Sequence, residues 1–145
     1  MGENLQFAPS TGSTWCYKDS IANCGKFGRL YDYATAETAC MEGWHLPTNV
    51  EWSQLASDAG ANLKSTQWNT NSIPSSDSYK FSAIAAPFLD SLPQFQNLDN
   101  AFWWAATPSA TGANRDIRWM AGGSASLGSS SRLMSYGLSV RCIQD

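Results

Sequence analysis

Histidine occurs once in this chain, charged residues make up only 14% of it, and none of its four cysteines stands in a CxxC pair. Each scarcity excludes something. One imidazole without a CxxC pair leaves a zinc site short of its usual Cys and His ligand sets. An enzyme needs a nucleophile with its base, a poised acid pair or a metal. A single histidine among scattered carboxylates forms no such constellation, so a non-catalytic protein is expected. The nine Lys and Arg residues are dispersed and the net charge is −3, so no basic stripe exists to neutralise a phosphate backbone, and nucleic acid is not an expected partner. No apolar run approaches the roughly 18 residues of a membrane span, and the first residues lack the charged-then-apolar pattern of a signal peptide. The chain reads as a soluble piece of a longer precursor.

What is plentiful points outside the cell. Serine, threonine, asparagine and glycine abound beside seven tryptophans, a composition commoner in extracellular proteins than in cytosolic enzymes. Cys16, Cys24, Cys40 and Cys142 then read as two disulfides formed in an oxidising compartment. At 145 residues the chain is one domain, long enough to bury about two thirds of its unfolded surface around a single core.

The hydrophobic period divides the chain into a helical first half, an irregular middle and a strand-rich end. "LYDYATAETACMEG" places Tyr33, Ala36 and Cys40 on one helical face, with Gly43 as C-cap, which predicts a short helix ending near Cys40. In "LPTNVEW", Thr48 as N-cap and Glu51 three positions on form a capping box. Trp52, Leu55, Ala56 and Ala59 then recur at helical spacing until Gly60. From about Ala61 to Asn100 no period holds, and a long ordered loop region pinned by Trp68, Tyr79, Phe81 and Phe88 is expected. Three strands follow, at 101–107, 115–121 and 136–144, with "GGSASLGSSSRLMS" as a surface loop or hairpin tip. In the last strand Leu138, Val140 and Cys142 fall on the inward face. A bridge from Cys40 to Cys142 would tie the start of the domain to its end and stabilise by about 4.7 kcal/mol in the chain-entropy model, and one from Cys16 to Cys24 by about 2.6 kcal/mol. Other pairings, such as Cys24 with Cys40, stay open at this level.

The stretch "STWCYKDSIANCGKFGRLYDYATAETACMEGWHLPTNVEWSQL", followed by "LKST", "FSA", "FWWAAT" and "SYGLSVRC", resembles the Fibrobacter succinogenes major paralogous domain family across nearly the whole chain. The resemblance implies an α+β, C-type lectin-like fold, of the branch shared with formylglycine-generating enzymes and retroelement-diversified variable proteins. It would have two helices near the N-terminus, a long irregular loop region and a small antiparallel C-terminal sheet in one domain over 1–145. It also implies Cys40–Cys142 and Cys16–Cys24 as the bridges. The opening "MGENLQF" looks like the middle of the family's "MAENLNY" start, so strands upstream are expected to lie outside this sequence. His45, in the "GWHLP" turn, is expected to bond backbone between packed Trp44 and Leu46, and Trp52 to be core.

Three function classes follow. The reactive cysteines of the formylglycine-generating relatives have no counterpart here, since all four cysteines are used in structural pairs. The sugar-binding lectins carry EPN or QPD beside WND, none of which occurs, although Asp90, Asn97, Asp99 and Asn100 form an oxygen-rich candidate for calcium. No cofactor is otherwise expected. The third class is a recognition module of a secreted or cell-surface bacterial protein, or a structural and adhesive one, whose partner is a protein or glycan. From Trp103 to Tyr136 the chain mixes rigid aromatics and arginines with small polar residues, as paratopes do. Similar segments of retroelement-diversified proteins vary at exposed positions. The candidate contact residues are Trp104, Arg115, Arg118, Trp119, Arg132 and Tyr136. In "RDIRWMA" the two-residue period sends Arg118 and Trp119 to opposite faces, and Trp103 and Trp104 likewise.

Overall fold

The computed structural model describes residues 1–68, 76–96, 99–108 and 112–145. It is a mixed α+β chain with short helices and small antiparallel sheets. Helix α1, Ile21–Phe27, begins within the loop closed by Cys16 and Cys24 and carries Cys24 in its middle. Asp19 and Ser20 before it and Asn23 within it are turn-forming residues, so no helical pattern shows there in the sequence. Strand β1, Thr14–Trp15, pairs with β2, Leu30–Tyr31, around it.

Helix α2 is shorter than its spacing predicts, running from Tyr33 to Ala36 and not to Cys40. Asp32 caps it by accepting the Thr35 amide. The chain then tightens through i→i+3 bonds from Thr38 to Thr35 and from Ala39 to Ala36, which ends the α-helix and brings Cys40 to Cys142. Gly43 is therefore not a helix cap. At φ +77° it makes the turn into β3, Trp44–His45, which pairs with β9, Ile143–Gln144. Helix α3, Asn49–Ala59, starts at the expected capping box. Glu51 Oε2 accepts the Thr48 amide at 2.8 Å, and Thr48 Oγ1 accepts the Glu51 amide at 3.4 Å.

Strands β6, Asn100–Pro108, and β7, Asn114–Ala121, form a sheet with β8, Gly128–Leu133, in the order β6-β7-β8. The segment "GSSSRL" thus belongs to an edge strand and not to a hairpin tip. Its polarity reflects its position at the open side of the sheet. The terminal segment is not a continuous strand. Leu138 bridges to Tyr31, Gly137 to Leu89 and Ser139 to Trp103, so each residue pairs with a different element. Leu138, Val140 and Cys142 do face the core, but Ser139 and Arg141 are buried as well. Of the four loop aromatics, Trp68 and Phe81 are buried and Phe88 is half-buried, whereas Tyr79 is exposed. Phe88–Leu89 and Phe95–Gln96 form a small hairpin, β4 and β5.

Strand β6 divides two cores. Phe102 and Trp104 enter one with Leu5, Tyr31, Tyr33, Ile117, Val140 and Cys142, while Ala101, Trp103 and Ala105 enter the other with Trp52, Leu63, Trp68 and Met120. At about 25 cal/mol per Å², each buried indole stabilises by about 4–6 kcal/mol as an upper bound. Both indoles keep their N–H bonded: Trp103 Nε1 donates to Asn4 Oδ1 and Trp104 Nε1 to the Tyr31 carbonyl. Asn4 Oδ1 also accepts from Arg141 Nε, and the buried Arg141 reaches the Met1, Phe81 and Ser82 carbonyls as well. Burial lowers its pKa to about 9. Lys64, fully buried, donates from Nζ to the Ala121, Gly122 and Ser124 carbonyls and lies 5.0 Å from the Trp68 ring centre.

Candidate functional site

The register of the three-stranded sheet decides which candidate residues meet. Phe102 stands opposite Trp119 and Trp119 opposite Gly128. Trp104 stands opposite Ile117 and Ile117 opposite Ser130, and Arg115 faces Arg132. Cross-strand partners share a face, so Arg115, Trp119 and Arg132 lie on one side of the sheet with Phe102 and Ser130. Asn100, Phe102, Trp119, Ser129, Ser130 and Arg132 line a hollow of about 380 Å³ there.

Trp104 lies beneath that surface and not on it. It is wholly buried, packs edge-on against Tyr33 at 5.4 Å and is bonded to the Tyr31 carbonyl, so it is floor and not contact. Arg118 also leaves the set, since the strand alternation sends it to the opposite face, where Nη2 donates to the Asn49 carbonyl and to Ser53 Oγ. Tyr136 joins the surface from outside the sheet. It stacks on Phe88 at 6.2 Å, and Phe88 meets Phe102 edge-on at 5.1 Å.

Two residues that sequence reasoning missed shape the shelf. Gly128 is one: a Cβ there would sit 2.5 Å from Trp119 Cε2 and 2.6 Å from Nε1, so the indole lies flat against the β8 backbone only because position 128 has no side chain. Phe102 is the other, and the alternation of "FWWAAT" could have placed it beside Trp104. Among the described residues the Trp119 indole N–H has no hydrogen-bond partner, and it is not enclosed.

The two arginines are held open. Arg132 Nη1 donates to the Ser131 carbonyl at 2.9 Å, with its guanidinium 5.8 Å from the Phe102 ring centre. Arg115 lies 5.0 Å from the Tyr33 ring centre and donates to the Gly112 and Asn114 carbonyls. Burial, followed by the nearby Glu37, pushes the Tyr33 phenol up to about 12 and keeps it neutral. Among the described residues neither Arg115 nor Arg132 forms an ion pair with a carboxylate.

His45 does not bond backbone as expected. Its Nδ1 lies 2.6 Å from Asp145 Oδ1 and its Nε2 2.9 Å from Glu51 Oε1, because the β3–β9 pairing brings the Asp145 side chain across to it. Glu51 uses its other oxygen for the capping box, so the imidazole braces the start of α3. The calcium candidates do not gather. Asp90 accepts the Leu92 and Gln94 amides and the Gln96 side chain in its own turn, Asp99 accepts the Trp68 indole, and Asn97 lies outside the described residues. Among the described residues no three His, Cys, Asp or Glu side chains form a metal-binding group, and no helix is long and apolar enough to cross a membrane.

The architecture is thus a disulfide-bridged α+β domain with an aromatic and guanidinium shelf on one sheet face. The chain belongs to the Fibrobacter succinogenes major domain family, whose sequence profile matches residues 1–144. No curated protein and no solved structure matches it.

Proposed function

We propose that this domain is a non-catalytic recognition module of a secreted or cell-surface bacterial protein, and that it takes a protein or glycan ligand on the shelf of Trp119, Phe102 and Arg132, with Arg115 and Tyr136 at its margins. The observation that carries the reading is the Trp119 indole, laid flat over Gly128 with its N–H open to solvent. A large aromatic surface with an unused donor, next to guanidiniums that lack carboxylates, is the composition of binding hot spots. The two disulfides fit an oxidising location. The bridge from the α2 region to the C-terminal segment supports the C-type lectin-like reading of the fold, and with it the comparison to retroelement-diversified proteins.

A glycan and protein array probed with the purified domain, with and without calcium, identifies the ligand. Trp119→Ala and Arg132→Ala should each weaken binding by tenfold or more with little change in melting temperature, consistent with about 2 kcal/mol per hot-spot residue. Undiminished binding by both variants would refute the shelf. Binding that disappears on calcium removal would move the site to the acidic turns.

A further inference from the structure

We propose that the opposite face of β7 and β8 carries a second site, for a neutral polyhydroxylated ligand such as a sugar ring, in the groove framed by Asn49, Asp116, Arg118, Ser129 and Ser131. It lies on the other face of the sheet from the shelf, the two hollows meeting only at Ser129 and Ser130 on the edge strand, and it stands or falls separately. The register builds the frame: Asp116 pairs with Ser131 and Arg118 with Ser129, so four polar side chains occupy the corners of one patch. The first turn of α3 closes the third side with Asn49, and the hollow between them measures about 400 Å³.

The groove is polar, organised and incompletely bonded. Arg118 is only 8% exposed, yet of its three nitrogens only Nη2 has partners, the Asn49 carbonyl at 2.9 Å and Ser53 Oγ at 3.2 Å. Its Nε is enclosed without a partner, and so is Asn49 Oδ1. Among the described residues only three buried side-chain polar atoms lack partners, and two of them meet here, the third being Trp52 Nε1. Such atoms are rare in folded proteins because the desolvation they suffer is not compensated. Arg118 Nη1 is also without a partner but is not enclosed, which leaves it as the guanidinium nitrogen open to the groove.

Asp116 and Arg118 carry opposite charges two residues apart on one strand face, about 6.6 Å between Cα atoms at the usual strand rise. They do not form an ion pair. Each is held back by α3: Asn49 Nδ2 donates to Asp116 Oδ2, and Asn49 and Ser53 retain the guanidinium. An unused donor on Arg118 therefore stands near an unused acceptor, Asp116 Oδ1, across a gap that the fold keeps open. A hydroxyl suits that gap because it accepts from one and donates to the other. Neighbouring hydroxyls on one ring would engage both ends, with Ser129 and Ser131 as further partners. One acid against one base leaves no net charge, so an anionic ligand meets Asp116 unfavourably and a cationic one meets Arg118.

The test is an amide NMR titration of the intact domain with methyl α-mannopyranoside, methyl β-galactopyranoside and myo-inositol, set against methyl glucuronide and glucosamine. At least one neutral polyol should give saturable shifts at Asn49, Asp116, Arg118 and Ser131, residues that the shelf does not share, with little movement at Trp119 and Arg132. Asp116→Asn and Ser131→Val should each weaken that response several-fold. Ser131 sits on the edge strand, so its variant decides the matter should Asp116→Asn fail to fold. Four results would overturn the proposal: no saturable shift from any neutral polyol, tighter binding of a charged sugar, shifts centred on the Trp119 face, or a response unchanged in the folded variants.

Discussion

Lys64→Met tests the reasoning about buried charge most directly. The side chain is fully enclosed, and its ammonium holds three backbone carbonyls in the turn that leads from β7 towards β8. Methionine fills a similar volume but donates nothing, so three acceptors lose their partner. An enclosed carbonyl without a partner costs about 1–3 kcal/mol. The bond to Gly122 is buried and those to Ala121 and Ser124 are partly so, which lets water compensate two of the three. Burial already lowers the Lys64 pKa, so removing the ammonium relieves some desolvation and offsets part of the loss. The net expectation is a destabilisation of about 3 kcal/mol. Guanidinium denaturation should show a lower midpoint with an unchanged slope, and amide exchange should quicken in residues 121–127. A loss below about 1 kcal/mol, within the range of an ordinary surface change, would mean that the carbonyls find other partners and that Lys64 is not what holds the turn.

Three further outcomes are expected. Removing the 40–142 bridge by Cys40→Ala with Cys142→Ala should cost about 4.7 kcal/mol, measured by denaturation against the oxidised parent, and the 16–24 bridge about 2.6 kcal/mol. The His45 pKa is raised, chiefly by its hydrogen bond to Asp145, so its contribution is full below 6.5 and fades as pH rises through the folded value; that of Glu51 is lowered, so its contribution is full above 4.5 and fades as pH falls through its folded value. The stability difference between the parent and His45→Gln should accordingly be largest between those limits and shrink at alkaline pH; a flat difference across pH would refute the brace. Gly128→Ala should lift the Trp119 indole off β8, altering tryptophan fluorescence and weakening ligand binding while the fold remains; an unchanged emission spectrum would contradict the flat placement.

Much of the frame was legible because it rests on local chemistry. The capping box of Thr48 and Glu51 is a contract between residues three apart, and it formed as read. The inward face of Leu138, Val140 and Cys142 and the opposed faces of Trp103 and Trp104 follow from strand alternation, which survives even where the strand breaks into isolated bridges. What failed depended on distant partners. Helix α2 stops at Ala36 because the following turn tightens towards a bridge at the far end of the chain. His45 chose carboxylates because β9 pairs with β3, a contact that no local pattern announces. The site was half legible for the same reason. Alternation separated Arg118 from Trp119, but composition cannot say that Trp104 is covered by Tyr33 or that Gly128 makes room for an indole nine residues earlier.

The Cys40–Cys142 bridge has a mechanical consequence. Its two Cα atoms stand 5.9 Å apart while the chain between them runs 102 positions. Tension that enters before residue 40 and leaves after residue 142 passes through sulfur and by-passes α3, the loop region and the whole three-stranded sheet. Roughly 350 Å of contour is thereby kept out of the line of pull. Stretching the oxidised domain would extend the segment before residue 40 and leave both faces of the sheet folded. Reduction of that one bond would place the sheet in series with the force.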